Sequence, residues 1–278
     1  MNYPLTLSAP IVGSLIFIEL ICGTTLIASI LDIFSGTARG YIVTTLLICF
    51  TIGTLNLFLI FGSSSIITHI SNFHYPINRY QQFIKVSVGY IVLLLFSSAF
   101  SYVSTDKARK ISLSIVSMVT IYYLFITAFS IAPLFPISNS AEISIIPSSL
   151  LLGTSFGGML LGHWYLISPD LTFKPLRFSV YLVFLAVIIQ LITFIFIFFA
   201  IFPSGISIIS NNGLFIPFWL LVIGGDIVFT PSVNALTLYF AKIRANQPAT
   251  AMLYTLIIGT MMATIPAQLI YFKTGIPL

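Results

Sequence analysis

Long apolar runs divide the chain, and the short polar segments between them contain proline, glycine or charged residues. A run of about 20 residues is long enough to cross a hydrocarbon core of about 30 Å as an α-helix. The runs lack the alternation of apolar and polar residues that is typical of outer-membrane barrel strands. The predicted spans lie near residues 8–31, 40–62, 84–104, 110–132, 146–168, 177–202, 213–231 and 248–272. We therefore expect an all-α, polytopic transmembrane helical bundle of about eight spans, formed by residues 1–278 as a single domain.

The composition supports a membrane location. Hydrophobic residues make up 58% of the chain and charged residues 6%, whereas about a quarter of the residues in soluble domains are charged. The formal net charge of +5 comes from only 11 basic residues, so it does not indicate nucleic-acid binding. Cys22 and Cys49 fall inside apolar runs without a CxxC motif, which argues against an iron–sulfur or zinc site on this chain. We expect an integral protein of a prokaryotic inner membrane.

The basic residues are distributed unequally between the two sides that eight spans would define. The connections after spans 1, 3, 5 and 7 contain eight of them, namely Arg39, Lys107, Arg109, Lys110, Lys174, Arg177, Lys242 and Arg244. The opposite side has three, which are Arg79, Lys85 and Lys273. Because cytoplasmic loops are enriched in lysine and arginine, the pattern predicts that both termini lie outside.

The connections on the predicted outer side are long and nearly uncharged. They cover residues 63–82, 134–149 and 202–216 and are rich in Ile, Phe, Pro, Ser and Asn. Loops longer than about twelve residues tend to be functional. We expect the outer face to be covered, either by these loops folding back over the bundle or by a docked partner subunit.

Two acidic residues fall within predicted spans. Glu19 lies in IVGSLIFIELICGTT and Asp226 in LLVIGGDIVFTPS. An acid at bilayer depth costs roughly 2.5 to 3.5 kcal/mol on the insertion scale, so such residues usually face the bundle interior, a cavity or a partner. Each is a candidate functional residue, or else a protonated side chain that only joins helices. For Asn56, Gln190 and Gln268, which are less costly to bury, the better interpretation is that they only join helices by hydrogen bonds.

The fifth predicted span contains two pairs of glycines four residues apart. Gly153 pairs with Gly157 and Gly158 with Gly162, and such spacing lets another helix approach closely. His163 follows directly, next to a tryptophan and a tyrosine that fit an interfacial aromatic belt. His163 is therefore either a proton-handling group at the inner membrane interface or a polar residue near the end of a helix.

The histidine positions argue against haem on this chain. A bis-histidine haem needs two histidines at one depth on facing helices. His69 and His74 lie together in one outer connection, whereas His163 lies towards the other side, so His163 has no partner histidine. We expect neither metal nor haem.

Two segments carry a resemblance to a known family. FHYPINRY, residues 73–80, follows the second span and is similar to the His-Leu-Gly-x-Pro-x-Arg turn of polytopic quinone-interacting anchor subunits of the dimethyl sulfoxide reductase and polysulfide reductase type, with His74, Pro76 and Arg79 as the matching residues. The closing residues 256–278 look like the last helix and tail of that family.

The resemblance implies a membrane subunit of a respiratory or photosynthetic electron-transfer complex that exchanges electrons and protons with quinone. Its partners would be iron–sulfur, molybdenum or cytochrome subunits on the outer face. A quinone slot needs an apolar cavity, hydrogen-bond donors and a route for protons. The resemblance nominates for the slot His69, His74, Tyr75 and Arg79. The proton-transfer candidates are Glu19, Asp226 and His163.

Two other functions remain open. The first alternative is a structural or assembly subunit of such a complex, without a site of its own. The second is a proton-coupled transporter of small solutes that uses the same acids, although no internal repeat supports this interpretation.

Overall fold

The computed structural model describes residues 5–71, 77–131, 141–168, 172–201 and 218–274. The elements in chain order are α1 (Leu5–Ser35), α2 (Arg39–Ser71), α3 (Ile77–Val103), α4 (Asp106–Ile131), α5 (Ala141–Ile167), α6 (Lys174–Ile201), a π-helical segment (Phe218–Phe229), α7 (Thr230–Lys242) and α8 (Asn246–Thr274). Within these ranges there is no strand. The predicted all-α helical bundle is confirmed.

Seven helices in the described ranges are long and apolar enough to cross a membrane. The seventh predicted span corresponds to the π-helical segment, which continues directly into α7 after Phe229. The predicted span over residues 213–231 therefore ends too early, because Thr230 and Pro231 do not terminate the helix. Pro231 has no backbone N–H to donate to the preceding turn, and it follows directly after the π-helical segment, where the regular i to i−4 hydrogen-bond pattern is already interrupted.

Two of the three long outer connections predicted from the sequence are largely helical. α2 continues to Ser71 and α3 begins at Ile77, while α5 begins at Ala141. Residues 63–71 contain neither proline nor glycine, so nothing in the sequence stops α2 after Gly62. The third connection, residues 202–216, lies outside the described residues.

The first helix, α1, is at the centre of the bundle. In the most apolar stretch of each helix, 89% of the residues are buried in α1, compared with 72% in α5 and 33% in α2. Glycines explain why α1 and α5 lie so close. A Cβ atom added at Gly23 would overlap the Ser149 carbonyl, and one added at Gly153 would overlap the backbone of Gly23. The predicted close approach of a helix to the fifth span is thus found at Gly153.

The C-terminal ends of α1, α3, α5 and α7 lie at one end of the bundle, which we call the basic end. Arg39, at the start of α2, donates a hydrogen bond to the carbonyl of Tyr102 near the end of α3. Arg177, in the first turn of α6, donates to the carbonyls of Ala241 and Lys242 at the end of α7. The helix ends that carry the basic residues of one predicted side therefore contact each other in pairs. That this side is cytoplasmic, with both termini outside, stays a prediction.

Candidate intramembrane carboxyl site

Glu19 lies near the middle of α1 and is completely buried. Its two carboxyl oxygens each accept a hydrogen bond from a different helix. Ser148 Oγ of α5 donates to Oε2 at 3.0 Å, and Gln268 Nε2 of α8 donates to Oε1 at 2.6 Å. One carboxyl group thus connects three helices in the interior of the bundle.

The glycine contact between α1 and α5 positions this carboxyl group. Glu19 lies one turn before Gly23, and Ser149 lies one turn before Gly153, so both residues are next to the point where the two backbones touch. Ser149 Oγ also donates to the backbone carbonyl of Glu19 at 2.9 Å. The small side chains of α5 therefore serve two purposes, because they allow the close approach and supply hydroxyl donors.

The hydrogen bonds of Glu19 suit more than one protonation state. An ionised carboxylate is an acceptor only, and it is matched by the Ser148 hydroxyl and the Gln268 amide. A protonated carboxyl group needs one acceptor, which either the hydroxyl oxygen of Ser148 or the amide oxygen of Gln268 provides after reorientation. Gln268 Oε1 has no hydrogen-bond partner among the described residues. The site can therefore hold or release a proton without losing all of its hydrogen bonds.

Asp226, the second acid, lies on the π-helical segment, which packs against α8. It is 4% exposed, and its Oδ1 atom has no hydrogen-bond partner in the described part of the chain. α8 also provides Gln268, the hydrogen-bond partner of Glu19, so both acids are on helices that pack against α8. A buried polar atom without a partner costs roughly 1 to 3 kcal/mol. Such an atom therefore needs a functional or structural reason, and π-helical turns are frequent at functional sites.

An apolar groove of about 420 Å³ opens between the π-helical segment and α8. Its walls include Leu220, Gly225, Phe229, Ile258, Gly259 and Met262. Two glycines on the facing helices shape it. A Cβ atom at Gly225 would lie 2.7 Å from that of Ala263, and one at Gly259 would overlap the Phe229 ring. Asp226 directly follows the groove residue Gly225 in the chain.

His163 lies away from the carboxyl site, near the basic end of α5. Its Nδ1 atom is 3.1 Å from the hydroxyl of Tyr254 on α8, and the side chain is exposed. His163 and Ser148 are on one helix, about 22 Å apart along its axis. The neighbouring Trp164 packs where a Cβ of Gly40 would be, and Tyr165 is buried. The structure therefore does not bring His163 together with Glu19 and Asp226.

Of the four quinone candidates, the structure describes the surroundings of Arg79. Its guanidinium group lies 4.2 Å above the centre of the Phe129 ring, a cation–π contact between the first turn of α3 and the last turns of α4. This contact is at the end of the bundle opposite the basic end. His69 belongs to α2, but its side chain lies outside the described residues, as do His74 and Tyr75.

A buried ion pair at the basic end was not anticipated from the sequence. Arg109 of α4 binds Asp32 of α1 through two hydrogen bonds of 3.0 Å, and both side chains are at most 5% exposed. Thr37 donates to Asp32, and Arg109 also contacts Asp106 at 2.8 Å. One signal was available in the sequence, because Asp32 is one of only six acidic residues and lies at the end of an apolar run.

The sequence also gave Gln268 and Ser148 no functional role. Gln268 was interpreted as a residue that joins helices by hydrogen bonds, and Ser148 was part of a predicted outer loop. Both donate hydrogen bonds to Glu19. The polarity of these residues was visible in the sequence, but their partner was not, because three distant segments meet only in the fold.

No protein-family model matches this sequence, and no curated protein matches it. The resemblance to quinone-interacting anchor subunits therefore stays a prediction, as do the expected quinone, the expected absence of metal and haem, and the expected partners. The chain is an integral membrane protein by its apolar helices, and its function has to be argued from the carboxyl site and the groove beside it.

Proposed function

We propose that the chain is the membrane subunit of an electron-transfer complex, in which it binds quinone and exchanges protons with it through Asp226 and Glu19. The observation that carries this proposal is the Asp226 carboxyl group, whose buried Oδ1 has no hydrogen-bond partner among the described residues and which directly follows a lining residue of the apolar groove. A groove of this kind favours a ligand that enters from the lipid and offers a polar group to Asp226.

The groove suits a quinone in size and chemistry. Ligand sites typically measure about 300 to 1,000 Å³ and combine apolar walls with a few polar groups. The groove of about 420 Å³ lies within that range. Its walls are made mostly of aliphatic and aromatic side chains and of glycine, which suits a quinone ring with its isoprenoid tail. A water-soluble solute would find few hydrogen-bonding groups there, so the groove favours quinone chemistry over small-solute transport.

The two carboxyl groups can bind the protons that quinone takes up on reduction and releases on oxidation. Asp226 directly follows the groove residue Gly225 on the π-helical segment, so a reorientation of its side chain would bring the carboxyl group to a quinone in the groove. In the direction of quinol oxidation, Asp226 accepts a proton and passes it towards Glu19, where the hydrogen bonds with Ser148 and Gln268 can be reoriented. Ser148 and Gln268 lie in the halves of α5 and α8 remote from the basic end. Protons would thus be exchanged with the side opposite the basic end.

Electrons would pass between the quinone and an iron–sulfur, molybdenum or cytochrome subunit docked at the end remote from the basic residues. This part of the proposal follows the resemblance of residues 73–80 and 256–278 to the anchor subunits. In a prokaryotic inner membrane, that end would be extracytoplasmic.

The test is photo-crosslinking of the full chain, purified in mild detergent, with an azido-quinone. We expect labelled peptides from the π-helical segment and from α8 around Ile258 and Met262. Met262→Trp, which fills the groove, should abolish the labelling. Met118→Trp is the matched control, because Met118 is also exposed on a helix but lies on α4.

Several outcomes decide between the alternatives. Labelling that spreads over exposed helices and is insensitive to Met262→Trp would reject the quinone groove. Co-purification from the native membrane with a redox subunit, combined with unchanged turnover in Glu19→Gln and Asp226→Asn variants, would assign the chain a structural role. Proton-coupled uptake by proteoliposomes containing this chain and no other protein would support transport instead.

A further inference from the structure

A second apolar groove, of about 510 Å³, runs along the outside of α3 and α4. Leu93, Phe96 and Phe100 line it from α3, and Ile111, Ser112 and Ile115 line it from α4. It begins at the basic end, because Phe100 is close to the end of α3 and Ile111 is close to the start of α4. The groove does not share a helix with the carboxyl site's groove, so its ligand is a separate question.

The mouth of this α3–α4 groove is positively charged. Lys107 lies one turn before Ile111 and is exposed. Arg39, Arg109 and Lys110 lie nearby, where Arg39 and Arg109 both bind Asp106 and Lys110 donates to the carbonyl of Ile33. The carboxylates of this cluster are Asp32 and Asp106, and Arg109 contacts both of them.

Among the described residues, this cluster contains four cations and two carboxylates. Arg109 together with Asp32 is a neutral buried pair, and Arg39 together with Asp106 is a second pair. Lys107 and Lys110 remain as excess positive charge. A ligand that enters this groove therefore meets apolar walls along its length and a cationic group at the basic end.

We infer that the α3–α4 groove binds an anionic phospholipid of the leaflet at the basic end, with an acyl chain between α3 and α4 and the headgroup phosphate at Lys107. The match is one of charge and polarity, since an acyl chain continues directly into an anionic headgroup. Anionic lipids are attracted to basic residues at the membrane surface by about five-fold in affinity for each lysine or arginine. If the basic end is cytoplasmic, it faces the leaflet in which such lipids are typical.

The test uses the full chain reconstituted in nanodiscs that contain either phosphatidylglycerol or phosphatidylcholine, followed by native mass spectrometry of the lipids retained on detergent release. We expect phosphatidylglycerol to be retained on the wild-type chain and phosphatidylcholine to be lost. Lys107→Gln should weaken the retention of phosphatidylglycerol about five-fold. Lys242→Gln is the matched control, because Lys242 is an exposed cation of the basic end on α7.

A second pair of variants tests the acyl-chain site separately from the headgroup. Ser112→Phe fills the groove and should abolish the retained lipid, whereas Ser232→Phe, on an exposed position of α7, should not. Gel filtration of each variant shows whether it is folded. Equal retention of both lipids, an unchanged signal in Lys107→Gln and Ser112→Phe, or isolation of the chain with a quinone or a second copy in this groove would overturn the inference.

Discussion

The ion pair between Asp32 and Arg109 provides a test of the fold that does not depend on the proposed function. Arg109→Met removes the guanidinium group and retains much of the side-chain volume. Among the described residues, Asp32 is then left buried with one remaining donor, the Thr37 hydroxyl at 3.2 Å. Breaking a buried ion pair by removing one partner costs about 3 to 5 kcal/mol, because an unpaired charge stays behind.

The reverse substitution should be milder. In Asp32→Asn, Arg109 keeps its 2.8 Å contact with Asp106, so its charge is still paired. The double variant Asp32→Leu, Arg109→Met leaves no charge unpaired within this contact and should be more stable than Arg109→Met. Reversible unfolding in mixed micelles with increasing SDS measures these free energies.

Arg39→Met is the control, because Arg39 is a partly exposed cation in the same cluster. Its contact with Asp106 is screened by solvent, and the unfolding midpoint should hardly change. If Arg109→Met were no more destabilising than Arg39→Met, the Asp32–Arg109 pair would not be buried as described. A double variant less stable than both single variants would contradict the explanation by an unpaired charge.

Further variants test the interior of the bundle. Gly153→Leu should prevent α1 and α5 from touching and abolish the folded protein in gel filtration, whereas Gly89→Leu, at an exposed glycine of α3 with open space around it, should be tolerated. Glu19→Gln should leave the fold intact and, in the intact complex, lower quinone-dependent turnover about 10²-fold, the lower range for loss of a proton-transferring group. Tyr254→Phe removes the hydroxyl next to His163 at an exposed position and should change neither turnover nor the unfolding midpoint measurably.

The positions of the helices could largely be predicted because hydrophobic length is a local property of the sequence. The errors are at the helix ends, which depend on more than the local hydrophobicity of the sequence. Ser71 belongs to a helix although its segment is polar, and Pro231 lies within a continuing helix although proline usually marks an end. Whether a polar segment or a proline ends a helix depends on the turns before it, such as the π-helical turns before Pro231, and a local window of residues does not show these.

The carboxyl site could be predicted in part. Glu19 and Asp226 stand out in the sequence because ionisable residues in apolar runs are rare. The hydrogen-bond donors to Glu19 do not stand out, since serine and glutamine are common in membrane helices as packing residues. Only the meeting of α1, α5 and α8 distinguishes Ser148 and Gln268 from the other polar residues of the chain.

The two buried acids of α1 have a common consequence for movement. Asp32 connects α1 to α4, and Glu19 connects it to α5 and α8, so α1 is fixed to its neighbours at two depths. Asp226 is different, because it lies on the π-helical segment and its Oδ1 lacks a partner among the described residues. If a structural change accompanies proton exchange, movement of Asp226 breaks fewer side-chain hydrogen bonds than movement of Glu19. On the proposed function, Glu19 is therefore the fixed proton site and Asp226 is the group that moves between the groove and the interior.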